Sequence, residues 1–136
     1  MPLHAVHDHI QDRLNEPRQF AYENGMVVTE VRDGYAKGEL HPGPNIINPH
    51  GNVHGGALAT LADIVAGSCA CSRGGHCVTS NMTLEYLRPA YPDRMIYCEA
   101  TPKKMGRSLS VIQVEITDEK GSLLVTGTYT FFMFDS

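Results

Sequence analysis

Apolar residues return at every fourth position at Val6, Ile10 and Leu14 within a polar stretch. This spacing predicts a short amphipathic helix over residues 4–16, closed by Pro17. The pattern then shortens to strands. Residues 25–31 carry Met26, Val27, Val28 and Val31, and residues 35–40 set Tyr35, Lys37 and Glu39 on one face against Ala36, Gly38 and Leu40 on the other. Asp33-Gly34 between them is a hairpin signal. Residues 41–53 lose all periodicity and are punctuated by His41-Pro42-Gly43-Pro44-Asn45 and Asn48-Pro49-His50-Gly51-Asn52, which predicts a long loop of a kind that often carries function. Over 54–72 the residues Ala57, Leu58, Ala59, Leu61, Ala62, Ile64, Val65, Ala66, Cys69 and Ala70 leave no polar face, which predicts a buried helix. Strands are predicted over 77–87, stopped by Arg88-Pro89, and over 95–101. Another covers 108–117, with Ser110, Ile112, Val114 and Ile116 on one face. After a turn at 118–121, the last covers 123–133, with Leu123, Val125, Tyr129, Phe131 and Met133 on one face. Short turns imply antiparallel strands, and one helix apolar all round implies a sheet that wraps it. The expectation is an α+β fold with about six strands.

Composition narrows the class without changing the architecture. A chain of 136 residues predicts one domain over 1–136, and 42% hydrophobic with 19% charged residues argues against disorder. A net charge of -4 argues against a general nucleic-acid binder. No apolar run is long enough to span a bilayer, and Met1 to Gln19 has no apolar signal centre, so no membrane association and a cytoplasmic location are expected. Cys69, Cys71, Cys77 and Cys98 lack zinc-site spacing and predict buried, reduced thiols, with Cys69 and Cys71 on different helix faces. His41, His50, His54 and His76 invite a metal reading, but Pro49, Gly51 and Asn52 oppose the regular helix that His50 and His54 would need. No metal and no separate cofactor are expected.

The candidate chemistry begins at Asp63, the sole ionisable side chain other than cysteine between His54 and Arg73. A carboxylate in an apolar helix needs hydrogen-bond donors, and Asp is a poor helix-interior residue, so the position breaks local rules as functional sites do. The bland alternatives are an Asp satisfied by a nearby hydroxyl such as Thr60, or one at a solvated gap between subunits. Upstream, His54-Gly55-Gly56 sits where the loop meets the helix. Unpaired N–H groups there, with glycine allowing close approach, form an oxyanion hole for a thioester carbonyl, or else the glycines only make a tight packing turn. Gly55 and Asp63 stand about 12 Å apart along one helix. If both act on one carbon, they come from two chains, through a two-fold axis that sets two such helices antiparallel.

The run Asn48-Pro49-His50-Gly51-Asn52-Val53-His54-Gly55-Gly56-Ala57-Leu58-Ala59-Thr60-Leu61-Ala62-Asp63 resembles the signature of hotdog-fold acyl-CoA thioesterases. The resemblance is to the phenylacetic-acid-degradation (PaaI-like) branch, which also takes in relatives of 4-hydroxybenzoyl-CoA thioesterase. Val78 to Ala90 resembles the family strand after the helix, and Lys103-Lys104-Met105-Gly106-Arg107-Ser108-Leu109 its basic turn. The resemblance implies a long helix wrapped by a curved antiparallel sheet, paired into a homodimer with shared sites and often into a dimer of dimers.

It also implies roles. Asp63 matches the catalytic carboxylate, as nucleophile or as general base. Gly55 matches the N–H that polarises the thioester carbonyl, with His54 beside it and Gly56 next to the substrate. Asn48 matches the side chain that positions substrate or water, and Thr79, or alternatively Ser80, the hydroxyl that orients water. Lys103, Lys104 and Arg107 either bind CoA phosphates or form a solvated turn. Arg88 is a phosphate ligand or a strand cap before Pro89. Hydrolysis of an acyl-CoA, with an aryl or arylacetyl group among the candidates, therefore stands first. Dehydration or hydration of an acyl thioester, which pairs a His with the carboxylate, and a non-enzymatic acyl-CoA-binding module are the alternatives.

Overall fold

The apolar run after His54 folds as a helix and organises everything else. The computed structural model describes residues 2–134; Met1, Asp135 and Ser136, part of the expected 1–136 unit, lie outside the described residues. The elements in chain order are α1 (Leu3–Leu14), α2 (Phe20–Glu23), β1 (Met26–Arg32), β2 (Tyr35–Leu40), α3 (Gly55–Ala70), β3 (His76–Tyr86), β4 (Ile96–Met105), β5 (Leu109–Asp118) and β6 (Leu123–Phe134). The six strands form one sheet in the order β1-β2-β4-β5-β6-β3, with every pairing antiparallel. α3 touches all six strands, so the sheet wraps it.

The periodicity accounts for the core. Alternation buries Ala36, Gly38 and Leu40 on β2 and Ser110, Ile112, Val114 and Ile116 on β5. These meet Leu58, Leu61, Ala62, Val65 and Ala66 of α3, together with Met26, Ile96, Tyr129 and Phe131. Each fully buried large aliphatic side chain contributes roughly 1.5–3 kcal/mol. Gly38 sets how close helix and sheet come, since a Cβ there would lie 2.6 Å from Val65 Cγ2 and 3.1 Å from the Val27 carbonyl. Gly38→Val is expected to destabilise the fold by about 2 kcal/mol or more through overpacking. The check is a lowered urea midpoint at unchanged m-value.

Several expectations need correction. β3 and β4 are consecutive but not neighbours: β3 pairs with β6 at one edge while β4 pairs with β2, and residues 87–95 carry the chain between them. β4 does not stop at Thr101. Pro102 is absorbed because the register shifts between Pro102 and Lys104, a bulge of the kind that tolerates a missing N–H. Lys103 and Lys104 therefore lie in a strand, and the turn itself is 106–108. α2 was not expected, being too short to show a period. α3 is not buried all round, because Ala59, Thr60, Asp63, Ile64 and Gly67 form a half-buried flank.

The two sheet edges differ. Along β1, Asn15 of the segment after α1 bonds both the N–H and the C=O of Val28, at 2.9 and 2.8 Å, and Gln11 adds a donor to the same carbonyl at 3.1 Å. That edge is covered by α1 much as a neighbouring strand would cover it. β3, eleven residues long, has no strand or helix on its outer edge among the described residues, and Val78, Met82 and Tyr86 are about half exposed.

Candidate active site

Asp63 sits at the middle of α3, on its open flank. It finds its donor in Thr79 of β3, whose Oγ1 donates to Oδ1 at 2.6 Å. Thr60, the nearer hydroxyl in sequence, instead donates back to the Gly56 carbonyl at 2.9 Å. Only one carboxylate oxygen is thus occupied, which leaves Oδ2 free for water or substrate among the described residues. Tyr129 stands close by with its hydroxyl on the Ala59 carbonyl at 2.7 Å. Burial, and then the negative charge of Asp63, push its pKa upward, so it remains a neutral donor.

Asp63 and Thr79 open into a cavity of about 850 Å³. Its walls come from α3 (Ile64, Gly67, Ser68), from β3 and from α1, which presents Val6, Ile10 and Leu14. The four-residue spacing that predicts the helix therefore also lines the cavity. His9, Arg13, Arg73 and His76 bring the polar groups. A mainly apolar chamber beside one carboxylate suits a substrate with an apolar body and one reacting polar bond.

The helix N-terminus forms the second cluster. His54 is the N-cap, and its Nδ1 accepts from Gly56 N–H at 2.9 Å. The N–H groups of Ala57 and Leu58 go to the His54 carbonyl. Of the four N–H groups at the start of α3, only that of Gly55 has no partner among the described residues. The Tyr86 hydroxyl donates to the Gly55 carbonyl at 2.8 Å and braces this residue from β3. Asn48 closes the loop turn: its Oδ1 accepts from the N–H groups of His50 and Asn52, at 3.0 and 3.1 Å, with Gly51 at φ +85° completing the bend. Those two donors settle which end of the amide is oxygen, and Nδ2 has no partner among the described residues.

Asn48, His54, Gly55 and Gly56 do not line the Asp63 cavity. Within one chain, then, Asp63 and Thr79 come together and the loop residues stay at the N-terminus of the helix. Ser80 is exposed and shares no bond with Asp63. Arg88 donates to the Leu123 carbonyl at 2.7 Å, the strand-cap alternative. Lys103, Lys104 and Arg107 are exposed and make no ion pair among the described residues; Arg107 alone borders a hollow of about 350 Å³ next to the Asp63 cavity. Tyr86, Tyr129 and α1 were missed as site elements.

The family model described as the thioesterase superfamily matches residues 50–125, more than half of the chain. The chain belongs to the thioesterase superfamily. It has the hotdog fold: the structure of the Escherichia coli PaaI protein superposes with a TM-score of 0.90 at 21% identity, covering 99% of this chain and 98% of that one. In sequence, the acyl-coenzyme A thioesterase PaaI of Escherichia coli K12 is 26% identical over 96 residues, 71% of this chain and 69% of the relative. The mouse acyl-coenzyme A thioesterase THEM4 is 34% identical over 135 residues, 92% of this thioesterase but 57% of its own length. A hypothetical thioesterase from Streptococcus pneumoniae, solved with coenzyme A, superposes at a TM-score of 0.79 with 29% identity over 85% of this chain and 90% of that one. That pneumococcal protein has also been solved with an aspartate, and separately a threonine, replaced by alanine. The two positions are sixteen apart, the separation of Asp63 and Thr79.

Proposed function

We propose that this thioesterase hydrolyses an acyl-CoA to the free acid and CoA, at two equivalent sites, each shared between two copies of the chain. The observation that carries this reading is the division of the chemistry along α3. Asp63 with Thr79 lies at one place and the Gly55 N–H, the one at the start of α3 with no partner among the described residues, about 12 Å away along the helix. Two antiparallel copies of α3 bring the Gly55 end of one to the Asp63 of the other.

In such a site the apolar cavity takes the acyl group, with room for an aryl or arylacetyl unit. The Gly55 N–H donates to the thioester oxygen as negative charge builds on it. The free Nδ2 of Asn48 holds the substrate or the water beside it. Asp63, fixed in rotamer by Thr79, either takes a proton from the attacking water or attacks the carbonyl carbon itself. In both cases the C–S bond breaks and the thiolate of CoA leaves, and in the second water then cleaves the acyl–Asp63 anhydride, which releases the acid and restores the carboxylate. The alanine-substituted pair in the pneumococcal thioesterase supports Asp63 and Thr79 as the working pair. Arg107, beside its hollow, is the best placed of Lys103, Lys104 and Arg107 for a CoA phosphate.

The bare β3 edge supports the dimer, since an eleven-residue edge with exposed Val78, Met82 and Tyr86 calls for a partner strand. In register across β5, β6 and β3, Leu109, Phe132 and Val78 make an exposed apolar ladder that supports a further contact, as in a dimer of dimers. Dehydratase chemistry is disfavoured because Nδ1 of His54 accepts from the helix N–H, which puts the ring proton on Nε2 and makes that nitrogen a donor rather than a base. The experiment is free-CoA release from acetyl-, octanoyl-, palmitoyl-, benzoyl- and phenylacetyl-CoA. Release from at least one of the larger thioesters is expected, and no release from any of them would refute the proposal.

Gly55→Ala tests the oxyanion role. A Cβ there would meet the Tyr86 ring at 3.4 Å, an ordinary contact, so the variant should fold. The methyl crowds the approach to the free N–H, and kcat is expected to fall by about tenfold or more with KM little changed. A change confined to KM would remove Gly55 from the reaction.

A further inference from the structure

Two of the four cysteines are not buried bystanders, contrary to the expectation from spacing. Cys69 and Cys98 are fully buried, but Cys71 and Cys77 are half-buried and both line the Asp63 cavity. Cys71 caps the C-terminus of α3 and Cys77 is the second residue of β3, and their Sγ atoms lie 3.1 Å apart, one thiol donating to the other. We propose that Cys71 and Cys77 form a redox-active dithiol in the wall of the acyl cavity, which hydroperoxides convert to a disulfide that suppresses turnover. The effect on turnover rests on the thioesterase reading; the dithiol itself does not.

The geometry needs little change. A disulfide requires about 2.05 Å between the sulfurs, so the two Sγ atoms have about 1 Å to close. The link between the two residues turns through Gly74 and Gly75, at φ +100° and +85°, and carries no buried bulky side chain to resist adjustment. The shared hydrogen bond pulls the pKa of the Cys71 thiol down against the effect of burial, while the hydrogen bond and burial together push that of Cys77 up, so the thiolate forms more readily at Cys71. Its thiolate attacks a peroxide oxygen. The O–O bond breaks, one oxygen stays as the sulfenic acid, and the other leaves as water or an alcohol. The Cys77 sulfur then attacks the sulfenic sulfur, the S–S bond forms, the S–O bond breaks, and water carries off the Cys77 proton. Each peroxide is reduced by two electrons as the two thiols become one disulfide.

Closure acts on the site through β3. Cys77 and Thr79 are two apart on one strand and so share a face, and Thr79 holds Asp63. Drawing Cys77 toward the end of α3 moves the residue that orients the carboxylate, and a shift of this size in a reacting group lowers rate by on the order of tenfold or more.

The test treats the intact protein with hydrogen peroxide, then counts thiols under denaturing conditions, maps crosslinks by peptide mass spectrometry and measures CoA release before and after dithiothreitol. Expected are loss of two of the four thiols, one intramolecular 71–77 crosslink, and a fall of about tenfold or more in turnover that dithiothreitol reverses. Cys71→Ser and Cys77→Ser, each compared with its own untreated sample, should keep their rates at the same dose. Four thiols still titrating, or sulfinic acid without a crosslink, would overturn the dithiol. A crosslink with unchanged turnover, or equal inactivation of the serine variants, would overturn the switch. If no thioester is hydrolysed at all, the thiol count and crosslink still decide the dithiol separately.

Discussion

Asp63→Asn is expected to slow CoA release by about three orders of magnitude, within the range for removal of a general base and equivalent to about 4 kcal/mol of transition-state stabilisation. The substitution is nearly isosteric. Asn retains a carbonyl oxygen that can accept from Thr79 Oγ1 where Asp63 Oδ1 now does, so the bond between α3 and β3 survives. What disappears is the negative charge, and with it both the nucleophile and the base. The half-buried flank of α3 gives no reason for the fold to suffer. The thermal midpoint should therefore stay within a few degrees of wild type while kcat collapses and KM changes little. Wild-type turnover in a folded Asp63→Asn protein would remove the carboxylate from the reaction, and a variant that fails to fold would show in the melt before any rate is read.

The parts of this site differ in how far the chain alone reveals them. Asp63 is legible because it interrupts an apolar run, and the interruption is a local pattern. Gly55 is legible because the loop and helix meet there. Thr79 is known only by resemblance, since its bond to Asp63 joins residues on two elements and no periodicity reports such a contact. The cavity is less legible still. Val6, Ile10 and Leu14 announce a helix with an apolar face, but not what that face covers, and they line the same chamber as Asp63. Cys71 and Cys77 escaped for a related reason: metal-site spacing does not apply to them, and only the turn at Gly74-Gly75 brings the end of α3 back to the start of β3. In the fold, alternation reads the inward faces of β2 and β5, whereas the placement of β3 beyond β6 depends on which edge the 87–95 link reaches. Pro102 misleads in the opposite direction, because a bulge lets a strand pass through a residue that normally ends one.

The proposed sharing of the site between two chains makes a prediction that no single-chain site can imitate. Asp63→Asn and Asn48→Ala should each be nearly inactive alone, the first lacking the carboxylate and the second the free amide Nδ2. If the two are unfolded together and refolded as a mixture, half of the dimers are mixed. In each mixed dimer, one site combines the intact Asp63 of the Asn48→Ala chain with the intact Asn48 and Gly55 of the Asp63→Asn chain. The other site carries both lesions. Half of the dimers with one working site of two return about a quarter of wild-type activity, far above either parent. Asn48→Ala also removes the acceptor for the N–H groups of His50 and Asn52, so its own melt must be measured alongside. A loosened turn lowers the recovered fraction, but it cannot create activity from two dead chains. If the mixture performs as the plain average of its parents, Asp63 and the loop act within one chain. In that case the 12 Å along α3 must be bridged by some other means, and the bare β3 edge would belong to a contact with no part in the chemistry.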